Sequence, residues 1–372
     1  MQRSSKTGCR FLHDKFWDKK NTGWAWVTDR KGNVLDNGKL VYGQTFAIYA
    51  LAEYYMATGD ERGIEYAEKT FDALKKYAAD TFYGGYFENF KEDWTLESAG
   101  VYGGDLKSLD IHMHTMEAYT TLYEATHKEV HKRALQEIID IVLKHMVDYD
   151  FWCGRNQFSI DFTPKPAISI RRTWNYDRDP ESANKNPLDT TSYGHNIELI
   201  WLLNRAYEVL GLPPAREFTR KFADYTLANG WDNIHGGIYR DGMHDGRIVV
   251  TDKEWWQNFE SLTGFLDSYQ ATEDERYLDT FIKLWEFDKK YFYNPEVGES
   301  RQLLLADGTP VIDDTGNQWK CIYHTDRAMM ECCLRIRITD GIMSAQSQSI
   351  FERKQIWEKR RQRCLWGKNW SE

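Results

Sequence analysis

The 372-residue chain has six cysteines, and they form no CxxC pair and no zinc-ligand spacing. Cys9, Cys153, Cys321, Cys332, Cys333 and Cys364 therefore read as free thiols, which sets aside a disulfide framework and points to a reducing, cytoplasmic compartment. No apolar run approaches the roughly 18–20 residues of a membrane span. The opening MQRSSKTGCR lacks the apolar core of a secretory signal. HExxH, serine-nucleophile elbows and phosphate-cradling glycine loops are absent as well. Positive charge is in deficit: 48 Lys and Arg stand against 57 Asp and Glu, a formal −9, which argues against nucleic acid as the partner.

What the chain has in excess is aromatic side chains, 15% of residues, with 15 Trp and 22 Tyr. Their flat faces either fill a thick helical core or stack on sugar rings. Glycine-bearing phrases recur at NTGWAW (from Asn21), YGGYFENF (from Tyr83), HGGIYRDG (from His235) and NPEVGES (from Asn294), each suited to a turn and a short strand. Long apolar helical stretches accompany them: YGQTFAIYALAEYYMATGD, LKSLDIHMHTMEAYTTLYEA, YGHNIELIWLLNRAYEVLG and KEWWQNFESLTGFLDSYQAT. The turns ATGDER and ATEDER are near copies, and amphipathic helices such as YAEKTFDALKKYAA and RYLDTFIKLWEFDKKYF follow them.

The repeating unit is thus a loop, an apolar helix, a tight turn and an amphipathic helix. A helix apolar on most faces has to be covered on most faces, whereas its amphipathic partner needs one covered face. Two concentric layers meet both demands, so the expected fold is an all-α (α/α) toroid with short β-hairpin loops at one rim; an open solenoid of helix pairs is the rival. Four helix pairs are complete, preceded by CRFLHDKFWD and followed by the apolar CIYHTDRAMMECCLRI. The expected organisation is a barrel domain over 1–340 and a basic tail over 341–372, with the long loop 151–190 laid over the barrel mouth. The tail, with Ile350, Phe351, Ile356 and Trp357 on a loose apolar side, reads as a solvated or docking helix rather than a nucleic-acid or membrane element.

In a toroid the inner helices start near one rim, so polar residues in their first turns converge. Asp110, His114 and Glu117 share a face; His195 and Glu198 open one helix, Trp255, Trp256 and Glu260 another, and Tyr323, His324 and Arg327 the last. A shared polar cavity follows. The two histidines of IHMH, two residues apart, face different ways and do not make a metal pair, so no metal is expected. Imidazoles on opposite sides of a sugar suit proton transfer at carbon near neutral pH. Two carboxylates, Glu198 and Glu260, keep a glycosidase open.

SYGHNIELIWLL, KEWWQNFESLTGFLDSYQ and KCIYHTDRAMMECCLRI together resemble the N-acylglucosamine 2-epimerase superfamily, and most closely its cellobiose and mannobiose 2-epimerase branch. The resemblance covers roughly residues 10 to 338. It implies an (α/α)6 barrel without a cofactor that opens a reducing aldose of the glucose or mannose type, free or within a disaccharide such as cellobiose or mannobiose. A proton then leaves C2 and returns to the other face through an enediolate. On this resemblance His324 is one acid–base residue and His195 a second, serving in ring opening or proton transfer; Glu198 and Glu260 hold sugar hydroxyls and tune the histidines, Trp255 and Trp256 form a stacking wall, and His114 and Arg327 line the site. The partner is a small-molecule sugar, with no nucleic acid and no membrane, and the protein is a monomer or homodimer.

Three departures from that family stand out. The tryptophan-pair element, Glu254 to Asn258, contains no histidine, so His195 becomes the second acid–base candidate. Gly298, Glu299 and Ser300 replace a GEW element whose tryptophan stacks on a second sugar. The family's first helix pair, with an arginine that supports the enediolate, has no counterpart here, so the expected toroid lacks that pair and its flank is left for the basic tail to cover. The alternatives to a 2-epimerase are an aldose–ketose isomerase on the same scaffold, a glycoside hydrolase, and an inactive sugar-binding relic.

Overall fold

Two kinds of helix alternate along the chain, and their burial shows which layer each belongs to. The computed structural model describes residues 2–99, 103–166, 188–317 and 319–344. Within them lie α1 (Gln2–Lys15), α2 (Val41–Thr58), α3 (Glu61–Ala73), α4 (Leu109–Thr126), α5 (Glu129–His145), α6 (Tyr193–Val209), α7 (Arg216–Asn229), α8 (Trp255–Thr272), α9 (Glu275–Phe287) and α10 (Tyr323–Ser344). α4 is buried without a break from Leu109 to Leu122, α6 from Tyr193 to Asn204, and α8 from Trp255 to Leu266. Such helices need neighbours on every side. α5 and α9 instead bury single stripes, Ala134–Leu135–Ile138–Ile141–Val142 and Tyr277–Thr280–Phe281–Leu284, at helical spacing.

The packing follows from this division. α2 lies against α4, α4 against α6, α6 against α8 and α8 against α10, while α3, α5, α7 and α9 each pack on the inner helix before them. At the end of the series, the Tyr323 ring of α10 meets Phe46 and Tyr49 of α2, with centroids 4.8 and 6.0 Å apart. Asp60 and Asp274, the aspartates of the two near-copy turns, cap α3 and α9 by accepting from the backbone N–H groups of Arg62 and Arg276.

The loops carry a second repeat. The backbone N–H groups of Asp18, Asp80 and Asp232 donate to the carbonyls of Gly23, Gly85 and Gly237 at 2.8, 2.9 and 3.0 Å. All three glycines have φ near +80°, where an L side chain is strained. Each aspartate also receives a fully buried lysine: Lys39 at 3.0 Å, Lys107 at 2.7 Å and Lys253 at 2.7 Å. These lysines sit on short strands that run directly into α2, α4 and α8. Before α6 the corresponding place is held by Thr191, and Asp148 is paired instead with Arg155 and with His244 Nδ1, the latter at 2.8 Å.

α10 runs through the domain boundary expected at 340/341. The tail beyond Ser344, with Cys364, and most of the loop expected to cover the mouth (167–187) lie outside the described residues. Residues 153–159 of that loop form two short strands, Cys153–Gly154 against Val147–Asp148 and Gln157–Ser159 against Leu106–Ser108. The other five cysteines are free thiols. Among the described residues no helix is long and apolar enough to cross a membrane.

Candidate active site

Five inner helices begin at one cavity. It encloses about 480 Å³ including its open mouth, and its wall takes Tyr42 from α2, Asp110 and His114 from α4, His195 from α6, Glu254, Trp255 and Trp256 from the start of α8, and His324 from α10. Gln302 and Trp319 complete the wall from loops. Serine caps set two of these first turns: Ser108 Oγ accepts from the Ile111 N–H and Ser192 Oγ from the His195 N–H, each at 3.3 Å. Helix N-termini carry partial positive charge, so five of them around one space favour an anion there.

His195 and His324 come to the same cavity from helices far apart in sequence. Both rings pack on the Trp256 indole, with centroids 4.7 and 5.7 Å away. The indole N–H of Trp256 donates to Glu254 at 3.0 Å, which fixes the plane between the two imidazoles. His324 Nδ1 donates to Glu260 Oε1 at 2.7 Å, so its other nitrogen is left as a proton acceptor. Burial lowers the His324 pKa from its usual value, and the Glu260 carboxylate only partly offsets this. His195 Nε2 lies 3.6 Å from Asp110 Oδ1.

The two histidines of IHMH part company. His112 donates from Nδ1 to the Ser108 carbonyl at 2.8 Å and accepts the Tyr86 N–H at 3.1 Å, a structural role, and burial pushes its pKa down to about 3. His114 faces the cavity, donates to Glu117 Oε2 at 2.9 Å and places Nε2 3.4 Å from Asp110 Oδ1. Burial alone would lower its pKa, but the Glu117 hydrogen bond and the carboxylates of Glu198, Glu117 and Asp110 outweigh it and raise it to about 9.

Glu198, Glu260 and Arg327 do not line the cavity; they form a buried layer behind it. Arg327 donates from Nη2 to Glu198 at 2.8 Å and to Glu260 at 2.5 Å, and from Nη1 to Glu117 and the Tyr323 hydroxyl. Its guanidinium lies 4.7 Å from the Trp201 ring centroid. The expected role of Glu198 and Glu260 is to hold sugar hydroxyls; here both carboxylates bind Arg327 behind the wall, although His114, at the same sixth position of its own helix, reaches the cavity. Burial and the neighbouring Glu260 carboxylate raise the pKa of Glu198; Arg327 and His324 overcome burial and lower that of Glu260.

Glu198, Glu260 and His324 offer ligand atoms within 4.8 Å of one another. A metal does not fit there: the guanidinium already bridges the two carboxylates, and His324 Nδ1 is committed to Glu260.

Four wall residues were not among the expected ones: Tyr42, Glu254, Gln302 and Trp319. Tyr42 was legible in principle, since it occupies the second position of its helix, as Asp110, Trp256 and His324 do of theirs. Gln302 and Trp319 lie in loops without periodicity; Trp319 packs on Trp26 with centroids 5.9 Å apart.

A sequence profile of the N-acylglucosamine 2-epimerase family matches residues 2–328. A cellobiose 2-epimerase of Dictyoglomus turgidum is 29% identical over 336 residues, covering 88% of this chain and 79% of that protein. A D-mannose isomerase of Marinomonas mediterranea is 23% identical over 336 residues, covering 87% of this chain and 78% of that one. Among solved structures, the cellobiose 2-epimerase of Spirochaeta thermophila superposes with a TM-score of 0.76 at 29% identity, covering 92% of this chain and 81% of its own.

Proposed function

The chain belongs to the N-acylglucosamine 2-epimerase family, and from that premise we propose that it is a cofactor-independent isomerase that inverts C2 of a reducing aldose. The observation that carries this reading is the meeting of His195 and His324 at one cavity, on the Trp256 indole and at the positive ends of five helices. The substrate class is a glucose- or mannose-type sugar, alone or at the reducing end of a disaccharide, with Trp255 and Trp256 as its stacking wall. The site sits in a helical (α/α) barrel that takes in α10, and the inner-helix packing supports that architecture.

On this reading the sugar ring opens first and exposes the C1 aldehyde. Neutral His324 takes the C2 proton on Nε2, and the C–H electron pair forms the C1=C2 bond of an enediolate whose negative charge rests on O1. His195 then gives a proton to C2 from the opposite face, and the carbonyl re-forms. Glu260 keeps the His324 acceptor nitrogen aimed outward, while the helix N-termini stabilise the enediolate. An aldose–ketose isomerase would share every step except the last, in which the proton goes to C1.

Incubation with mannose, glucose, cellobiose and mannobiose in D₂O tests the assignment. Deuterium enters C2 of the product epimer, and His324→Ala lowers this by about 10³-fold while the fold survives. Conversion to a ketose supports the isomerase instead. Release of nitrophenol from nitrophenyl glycosides, or sugar binding without any C2 exchange, defeats the epimerase.

A further inference from the structure

We propose that Glu117, His114 and Asp110 form a relay of positioning residues that holds His195 as the proton donor of the catalytic pair. The relay deepens the epimerase reading above and rests on it. Its geometry starts at Glu117, which is fixed from three sides: it accepts from His114 Nδ1 at 2.9 Å, from the Tyr323 hydroxyl at 2.7 Å and from Arg327 Nη1. Burial would raise the Glu117 pKa, but Arg327 and His114 overcome it and hold it at about 2. An ionised Glu117 makes Nδ1 of His114 a donor, which turns Nε2 toward Asp110 Oδ1 at 3.4 Å. The same Asp110 oxygen lies 3.6 Å from His195 Nε2.

One carboxylate between two imidazoles favours a proton on each. The arrangement at His324 is the opposite. Its carboxylate partner, Glu260 Oε1, also receives Arg327 Nη2 at 2.5 Å, so its negative charge is already shared and burial wins. The titratable or charged groups facing the relay are, on the cavity side, Tyr42 from α2, Glu198 from α6, Glu254 from the start of α8, and Tyr323, His324 and Arg327 from α10; behind Glu117 they are Tyr49 and Glu53 from α2, Glu124 from α4, Arg205 from α6 and Glu331 from α10. The outcome is one acid and one base around the same sugar, the asymmetry that inversion of a carbon centre requires.

The test reads how the enediolate partitions. Each epimer of the reactive sugar is incubated in D₂O, and both sugars are followed by mass spectrometry. In Glu117→Gln and in His114→Gln the donor is impaired. Starting from the epimer whose C2 proton His324 removes, deuterium accumulates in recovered starting sugar, and epimer formation drops about 100-fold. Starting from the other epimer, exchange and conversion fall together. Glu117→Asp, which keeps the charge, recovers part of the conversion. Conversion must fall by the same factor in both directions, so the exchange decides: equal loss of C2 exchange from both epimers overturns the relay. Asp110→Asn, at the cavity wall, gives the same partition and serves if a deeper variant fails to fold. A parent chain that exchanges no C2 proton fails the epimerase reading instead. The relay is then judged by histidine NMR without sugar: the imidazole signal missing from His195→Gln titrates at lower pH in Asp110→Asn than in the parent, and an unmoved titration overturns it.

Discussion

Asp288 lies in the π-turn after α9, almost fully buried, and among the described residues neither carboxylate oxygen has a hydrogen-bond partner. Burial, with nothing to oppose it, pushes its pKa well above the carboxylate range. The folded chain therefore keeps this proton at pH values where the unfolded chain has lost it, so the residue destabilises the fold increasingly as pH rises above about 4. Asp288→Asn should raise stability by about 2 kcal/mol at pH 8 and by much less at pH 4, measured by urea unfolding. An equal gain at both pH values would mean that ionisation is not the cause. At this scale the sequence was only half legible. His195, His324, Trp255 and Trp256 stand in first turns, where helix spacing alone marks them as convergent. Glu117 and Arg327 share their helices' inner faces, but nothing in the spacing reveals that they touch each other, 210 residues apart in sequence.

Between residues and the whole lie the loop-and-strand units that launch the inner helices. The glycine phrases and the copied turns ATGDER and ATEDER showed these units in the sequence. The buried Lys–Asp pairs did not show, because each joins positions 21 or 27 residues apart that carry no periodic signal. Lys253 of the α8 unit donates to Asp232 and to the Ala306 carbonyl, and Asp232 in turn accepts the backbone N–H groups of Ile234 and His235. Lys253→Met leaves that aspartate buried with its charge uncompensated, and should cost about 3–5 kcal/mol. Asp232→Asn strands the buried Lys253 ammonium in turn, so the double variant Lys253→Met/Asp232→Asn should cost less than the two single losses added together. Additive losses, seen as denaturation-midpoint shifts that sum in the double variant, would show that the lysine acts through packing rather than charge. The unit before α6 departs from the pattern, with Arg155 and His244 on Asp148 where the others use lysine, and it is the unit from which the long loop emerges.

For the molecule as a whole, one side chain links most of the inner layer. Arg327, on α10, binds Glu117 on α4, Glu198 on α6 and Glu260 on α8, and Tyr323 one turn earlier meets Phe46 on α2. The alternation of all-round apolar and one-sided helices made the two layers legible from sequence, since burial demand alone sorts them. The charged tie across the axis was not legible, because a lone arginine in an apolar helix reads equally well as a site residue. Three buried carboxylates share this space with one guanidinium and the His114 imidazole, and burial together with the Glu260 carboxylate raises the pKa of Glu198. Arg327→Gln therefore should lower stability by about 3–5 kcal/mol at pH 8, where the remaining carboxylates repel in a low-dielectric space. At pH 5 they can take up protons, and the loss should shrink. Added salt should recover little at either pH, because the cluster is out of reach of the ions that screen surface charge. Urea midpoints of parent and variant at the two pH values, with and without salt, decide it: a pH-independent loss would make Arg327 a packing element, and recovery in salt would place the cluster in contact with solvent.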